Sequence, residues 1–164
     1  MKVSSLKSVF IALIGLVFLI SCGKDDTPQD VIVMDDTPFI LEHGALPAPS
    51  LPSDNQLTIQ GVKLGRMLFY EKLLSRDGSQ ACADCHRQQD GFSDTSRFSI
   101  GVELMPGKRQ AMPVFNMAWH TNEFFWDGRA HLLRDQALKP IQDPLEMNET
   151  LPNVIAKLSN SQQY

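Results

Sequence analysis

Residues 82–86 read Cys-Ala-Asp-Cys-His, and this short motif constrains the fold more than any other part of the chain. Two cysteines separated by two residues and followed directly by histidine form the attachment signature of a c-type haem. The spacing suits that chemistry, because two thiols on one helical turn can bond to the two vinyl groups of one haem. We therefore predict covalent haem on Cys82 and Cys85, with His86 as the axial iron ligand through a nitrogen of its neutral ring.

Zinc binding and thiol–disulfide exchange are the alternative uses of paired cysteines. A zinc site needs two further ligands at metal spacing, whereas His43, His120 and His131 are isolated and no second CxxC follows. A thioredoxin-like redox pair needs a βαβ setting, and the sequence around the motif shows no strand pattern. Chance occurrence is the third alternative, and the export signal described next argues against it.

The N-terminus carries an export signal. A basic start precedes an apolar run over residues 9–20, which is shorter than a membrane-spanning helix and ends at small residues. The segment Leu19-Ile20-Ser21-Cys22 resembles the lipobox of bacterial lipoproteins, so we predict that residues 1–22 are a lipoprotein signal peptide and that Cys22 is lipidated. An ordinary cleaved signal or an uncleaved anchor is the alternative. Lipid and haem together use all three cysteines, and both assignments predict an exported protein, because c-type haem is attached after export. The lipid would anchor the protein on the periplasmic side of a membrane or at the cell surface.

Composition divides the remaining chain into two parts. Residues 23–55 are acidic and rich in proline, which predicts a disordered tether. Residues 56–164 are long enough for one domain. The net charge of −4 argues against nucleic-acid binding and suits a basic redox partner.

Helical patterns dominate the second part. Apolar spacing predicts helices over residues 59–73, 80–87, 131–138 and 152–159, and Lys139-Pro140 is expected to end the third. The first of these helices is expected to pack an apolar stripe on the core. The predicted fold class is all-α: a c-type cytochrome domain with short helices and long loops around a covalent haem.

Several separated stretches resemble one family in order and spacing. They are residues 64–70 (Leu-Gly-Arg-Met-Leu-Phe-Tyr), 82–86, 91–94 (Gly-Phe-Ser-Asp), 126–129 (Trp-Asp-Gly-Arg) and 140–147 (Pro-Ile-Gln-Asp-Pro-Leu-Glu-Met). Together they resemble the N-terminal haem domain of the bacterial di-haem cytochrome c peroxidases, a family that includes the MauG-like maturation enzymes. The resemblance covers roughly residues 46–164.

The resemblance implies a peroxidatic haem and a set of residues around it. Hydrogen peroxide would be reduced to water with electrons from a small c-type cytochrome or a similar periplasmic donor. Glu146 matches the distal acid, Gln136 a glutamine of the same pocket, and Pro140 the wall of that pocket. Trp126 matches a tryptophan that carries electrons between haems, and Arg129 resembles a structural or propionate-binding arginine.

The chain departs from the family pattern at three points. Many members have a histidine in the loop after the haem motif that caps the iron, and residues 101–104 lack it. In this respect the chain resembles the open, MauG-like subgroup, which implies that the sixth coordination position of the iron is vacant or holds water. Gln110 stands where the family has an asparagine that helps to hold an interdomain calcium, which makes a calcium ligand here doubtful, although a glutamine oxygen could still serve. The family implies a second haem domain with its own CxxCH, whereas this sequence has one such motif. We expect a reading frame truncated before the second haem domain.

Two other functions stay open at this stage. A mono-haem electron-transfer cytochrome needs a second strong axial ligand, and the candidates are Met105, Met112, Met117 and Met147. A MauG-like oxidase would instead act on a protein partner.

Overall fold

The computed structural model describes residues 35–121 and 123–164. Over these ranges four α-helices occur: α1 (Ile59–Phe69), α2 (Cys82–Cys85), α3 (Leu133–Gln142) and α4 (Leu151–Ser159). Short 3₁₀ helices lie at Lys72–Leu74, Gln88–Asp90 and Met117–Trp119. The β pairing of the described residues consists of isolated bridges. None of the described helices is long and apolar enough to span a bilayer. The predicted signal peptide, Cys22 and residues 23–34 of the predicted tether lie outside the described residues.

The helix α1 is shorter than the sequence pattern predicts. It begins where Thr58 accepts a hydrogen bond from the Gly61 amide at 3.0 Å, and it ends at Phe69 rather than Leu73. The reason is a second cap, because the Glu71 carboxylate accepts from the Leu73 amide at 2.8 Å and starts a separate 3₁₀ turn. A side chain that satisfies the next free amide ends one helix and begins another.

The helix α3 continues past the proline that was expected to end it. Pro140 lies inside the helix, and the last turn still closes because the Asp143 amide donates to the Lys139 carbonyl at 3.0 Å. Proline removes a single backbone donor, and a helix can survive that loss near its end. As a result, Gln136 and Pro140 lie four residues apart on one helix and share a face.

The buried core around the end of α3 is small. Leu74, Ile141, Met147 and Val154 form a cluster that joins the 3₁₀ turn after α1, the end of α3 and α4. From α1, Leu68 packs against this cluster, but no α1 residue is fully buried and Leu64 is 46 % exposed. The apolar stripe predicted for α1 therefore contributes one residue to the core rather than a whole face.

The described part of the predicted tether, residues 35–55, contacts the domain. It contains no helix, but the Phe39 amide donates to the Leu57 carbonyl at 3.0 Å. Farther along, Trp119 Nε1 donates to the Pro47 carbonyl at 2.7 Å. These hydrogen bonds join the described part of this segment to the residues just before α1 and to the 3₁₀ helix that ends at Trp119.

A nearly buried ion pair stabilises the loop that follows α3. Lys157 Nζ lies 2.5 Å from Glu149 Oε2 and donates to the Ser75 carbonyl at 2.6 Å. The Glu149 side chain is 3 % exposed and also accepts from the Thr150 amide at 2.8 Å. The hydrogen bond from Lys157, with those from Thr150 and Asn153, holds the pKa of Glu149 below its usual value.

We expect Lys157→Met to lower the free energy of unfolding by about 2 kcal/mol, less than the 3–5 kcal/mol of a fully buried pair because Lys157 is partly exposed. Urea unfolding of the haem-loaded chain at pH 7 measures this, and Lys63→Met, an exposed lysine of α1, is the control. A lowered carboxyl pKa stabilises the fold above the unfolded-state value near 4.5. The difference in the free energy of unfolding between K157M and wild type should therefore become smaller as the pH falls below that value. Equal stabilities at pH 7 would contradict the role of the pair.

Candidate functional site

The CxxCH motif and the segment 140–147 face one cleft of about 410 Å³. His86 and Cys85 line one part of it, and Gln136, Pro140 and Glu146 line another. Other residues that line the cleft include Gln80, Gly101, Arg109, Gln110, Met112, Met117, Phe125, Trp126, Asp127 and Arg129. Residues that are as far apart as 86 and 146 in sequence thus meet at a cavity of the size that holds cofactors.

His86 is held in the state that a metal ligand requires. Its Nδ1 is 3.2 Å from the Phe92 carbonyl oxygen, and since that oxygen can only accept, Nδ1 carries the proton. The other ring nitrogen, Nε2, is then left with a free lone pair. Burial lowers the pKa of His86, so the ring is neutral at physiological pH.

The two cysteines are free and partly buried. Burial raises the pKa of each thiol, so both stay protonated near neutral pH. Cys85 lines the cleft, whereas Cys82 lies one helical turn earlier and is not part of the lining. The turn is fixed by Asp84, whose carboxylate accepts from the Ala81 amide at 2.8 Å, and by the His86 amide, which donates to the Cys82 carbonyl at 2.9 Å.

Glu146 is a carboxylic acid in a poorly solvated position. Burial raises its pKa, Asp143 raises it further, and Arg129 acts in the opposite direction. A carboxyl group with a raised pKa can both accept and return a proton near neutral pH. Its backbone is fixed because the Glu146 amide donates to the Asp143 carbonyl and its carbonyl accepts from the Val102 amide, each at 2.9 Å.

Trp126 and Arg129 lie on a turn at the mouth of the cleft. Trp126 is 62 % exposed, and its Nε1 donates to the Gln110 carbonyl at 3.0 Å. Arg129 pairs with Asp127 at 3.0 Å and lies 3.5 Å above the ring of Phe125. Hydrogen bonds from Arg129, together with one from Arg109, lower the pKa of Asp127 to about 2. Arg129 therefore has structural partners within its own turn, at a position that also borders the cleft.

Gly101 borders the cleft at a position that the sequence analysis did not single out. It is buried, and a Cβ atom there would collide with the Leu145 carbonyl and lie 2.7 Å from the Glu146 carbonyl oxygen. Only glycine allows the loop 101–104 to approach the segment that carries Glu146 so closely. The sequence offers one signal, an isolated glycine within a loop, and nothing local shows which segment it touches.

The residues present fit a c-type haem. The cleft combines a neutral imidazole with a free ring nitrogen, a thiol on the same helical turn, and apolar side chains with a few polar groups. Gln80, which lines it, has a buried side-chain oxygen without a hydrogen-bond partner. The described residues contain no cluster of three or more His, Cys, Asp or Glu side chains suited to a metal. At Gln110, the side-chain amide donates to the Asp94 carbonyl at 3.1 Å.

A cleft bounded by a CxxCH histidine and by a poorly solvated glutamic acid defines a haem protein of the cytochrome c peroxidase class. The chain belongs to the family described as di-haem cytochrome c peroxidase, whose sequence profile matches residues 59–164.

Individual relatives agree with this assignment. The chain is 44 % identical over 107 residues to the methylamine utilization protein MauG of Methylorubrum extorquens, covering 65 % of this chain and 30 % of that protein. It is 37 % identical over 123 residues to the cytochrome c peroxidase Ccp of Escherichia coli, covering 74 % of this chain and 26 % of that protein. A crystal structure of a MauG-like protein associated with microbial copper homeostasis superposes with a TM-score of 0.66 at 31 % identity, covering 73 % of this chain and 35 % of that one. The chain thus spans about a third or less of each of these relatives.

Proposed function

We propose that this chain is the peroxidase-type haem domain of an exported, lipid-anchored protein, and that it reduces hydrogen peroxide to water with electrons from a small c-type cytochrome or a similar donor. One observation carries the proposal: Glu146, a carboxyl group with a raised pKa, borders the same cleft as the neutral ring of His86. Cys82 and Cys85 would hold one haem c, and His86 would bind its iron. The lipid on Cys22, the tether over 23–55 and the haem domain over 56–164 are parts of the same proposal.

A haem held by Cys82, Cys85 and His86 would supply an iron centre for peroxide binding and the electrons needed to cleave the O–O bond. The overall reaction consumes one hydrogen peroxide, two protons and two electrons and yields two waters. Glu146 takes a proton from the first peroxide oxygen and gives it to the second, which leaves as water when the O–O bond breaks. A group that performs both transfers needs a pKa near the working pH, and burial moves Glu146 in that direction.

The neighbouring residues orient and enclose the reactants. Gln136 can donate a hydrogen bond beside Glu146, and Pro140 closes the same wall with a ring that has no N–H to compete for a proton. Trp126, exposed at the mouth, provides a path for electrons entering from a donor. Arg129, which borders the cleft, would bind a haem propionate.

The electron-carrier alternative makes a different demand on the cleft. A methionine would have to bind the iron opposite His86. Met112 and Met117 line the cleft, whereas Met147 belongs to the buried core and Met105 is 43 % exposed outside the lining. The third candidate, oxidation of a protein partner, is favoured by the identity with MauG. The absence of histidine from residues 101–104 supports an open iron position in either enzyme.

The absorption and EPR spectra of the ferric protein, matured with haem in a bacterial periplasm, test the proposal. We expect covalently bound haem with a high-spin signal that changes on addition of cyanide or peroxide. A low-spin spectrum with the near-infrared methionine-to-iron band would make the chain an electron carrier. If the wild-type protein carries no covalent haem, the proposed haem site at Cys82, Cys85 and His86 is wrong. Consumption of peroxide with a reduced cytochrome, compared with oxidation of an added protein, separates the two enzyme functions.

A further inference from the structure

Asp94 lies beside the haem-attachment motif and connects several loops. Its side chain is 10 % exposed and accepts hydrogen bonds from the Ser96 amide at 2.8 Å and the Ser99 hydroxyl at 2.7 Å. It also pairs with Arg87 at 3.1 Å, and its backbone carbonyl accepts from Gln110 Nε2 at 3.1 Å. A nearly buried carboxylate with this many donors is ionised, and the hydrogen bond from Ser96 is the main cause of its lowered pKa.

Arg87 directly follows His86 and is held from several sides. Its Nε lies 2.8 Å from Asp90, and its Nη2 contacts Asp94 at 3.1 Å and the Thr95 hydroxyl at 2.9 Å. Backbone hydrogen bonds close the same loop, because the Arg87 amide donates to Ser93 at 3.0 Å and its carbonyl accepts from Phe92 at 2.8 Å. The Arg87–Asp94 pair thus fastens the two ends of a loop that starts next to His86.

Phe92 is the residue of this loop that contacts the iron ligand. Its φ is 57°, a left-handed conformation that costs a non-glycine residue about 1–2 kcal/mol. Its carbonyl oxygen accepts from His86 Nδ1 at 3.2 Å and from the Val114 amide at 3.2 Å. Such a conformation persists only where its surroundings hold it. The pair between Arg87 and Asp94 holds this loop together with the backbone hydrogen bonds that join Arg87 to Ser93 and to Phe92.

We propose that Asp94 is a positioning residue for His86, and that the opposing charges of Asp94 and Arg87 set the reduction potential of the iron. The inference rests on the proposed function, since it requires His86 to bind haem. The loop fastened by Asp94 presents the Phe92 carbonyl to Nδ1, and that hydrogen bond fixes the ring and raises its basicity as a ligand. The negative charge of Asp94 favours the ferric state over the ferrous state, and the positive charge of Arg87 has the opposite effect.

The test is the midpoint potential of the full-length, haem-loaded protein at pH 8. We expect Asp94→Asn to shift the ferric–ferrous equilibrium about tenfold toward the ferrous state, or about +59 mV for a one-electron couple. Arg87→Gln should shift it in the opposite direction, because Asp90 and Asp94 then keep their charges without a partner. Asp36→Asn, which removes an exposed carboxylate, is the matched control and should leave the potential unchanged.

The sign of the shifts separates this inference from a purely structural role. Loss of packing alone would loosen His86 in both variants and move both potentials the same way, and that result or no shift at all would overturn the inference. If Asp94→Asn does not fold, the Arg87→Gln shift decides. If wild-type protein carries covalent haem but the potentials of both variants shift in the same direction, only the role of Asp94 is refuted. Wild-type protein without covalent haem refutes the proposed function as well.

Discussion

Replacement of Glu146 by glutamine should slow the reaction of the haem-loaded protein with hydrogen peroxide by about 10²–10⁴-fold, the contribution typical of a positioned acid–base group. Glutamine keeps the size and the hydrogen-bonding capacity of the side chain but cannot take a proton. Covalent haem and the spectrum of the ferric protein should stay unchanged, because the substitution leaves Cys82, Cys85 and His86 in place. Stopped-flow mixing with peroxide measures the second-order rate constant.

The matched control is Glu42→Gln, which removes an exposed carboxylate of the N-terminal segment and should leave the rate unchanged. The pH dependence adds an independent check. Because the pKa of Glu146 is raised by burial, the wild-type rate should fall as the pH drops through that raised value and the carboxylate becomes protonated. This titration should be missing from E146Q. A wild-type rate that follows the same pH profile as E146Q would show that another group handles the proton.

The sequence alone is sufficient to predict the haem-attachment motif at residues 82–86. Cysteines and histidine within five consecutive residues can be recognised without a fold, because one helical turn brings them together. The predicted acid–base residues of the cleft are a different case. Glu146 and Gln136 could be assigned only from the family resemblance, since no short-range pattern links them to His86. Their shared cleft depends on α3 continuing through Pro140, which the proline rule alone does not predict.

Contacts between distant segments are what the sequence does not reveal. Gly101 meets Leu145 across more than forty residues of chain, and Arg87 meets Asp94 around a loop whose geometry depends on a left-handed Phe92. Likewise, residues 35–55 have the composition of a disordered segment, yet backbone hydrogen bonds join their described residues to the domain. Composition indicates the average loss of conformational entropy when a segment becomes ordered. It does not indicate which particular contacts offset that loss.

Gly101→Ala should lower the rate with peroxide about 100-fold, because displacement of a catalytic group by about 1 Å has effects of that size. The added Cβ would lie 2.6 Å from the Leu145 carbonyl carbon, and backbone atoms cannot move aside as a flexible side chain can. The segment carrying Glu146 must therefore shift, while His86 and the cysteines stay in place. Gly65→Ala is the control, because a Cβ at that position of α1 meets nothing within 4 Å.

The double variant Gly101→Ala/Glu146→Gln distinguishes loss of position from general damage. If Gly101 acts only by placing the Glu146 carboxylate, adding Gly101→Ala to E146Q should slow the reaction little further, because the displaced group no longer transfers protons. Stopped-flow rates of the wild type, both single variants and the double variant complete the cycle. If the two substitutions act independently, their effects on the rate multiply, and the double variant reacts about 10⁴-fold or more slowly than wild type. That result would show that Gly101 shapes the cleft in some other way. A G101A protein as reactive as wild type would show that the loop absorbs the extra carbon and that this close approach does not position the acid.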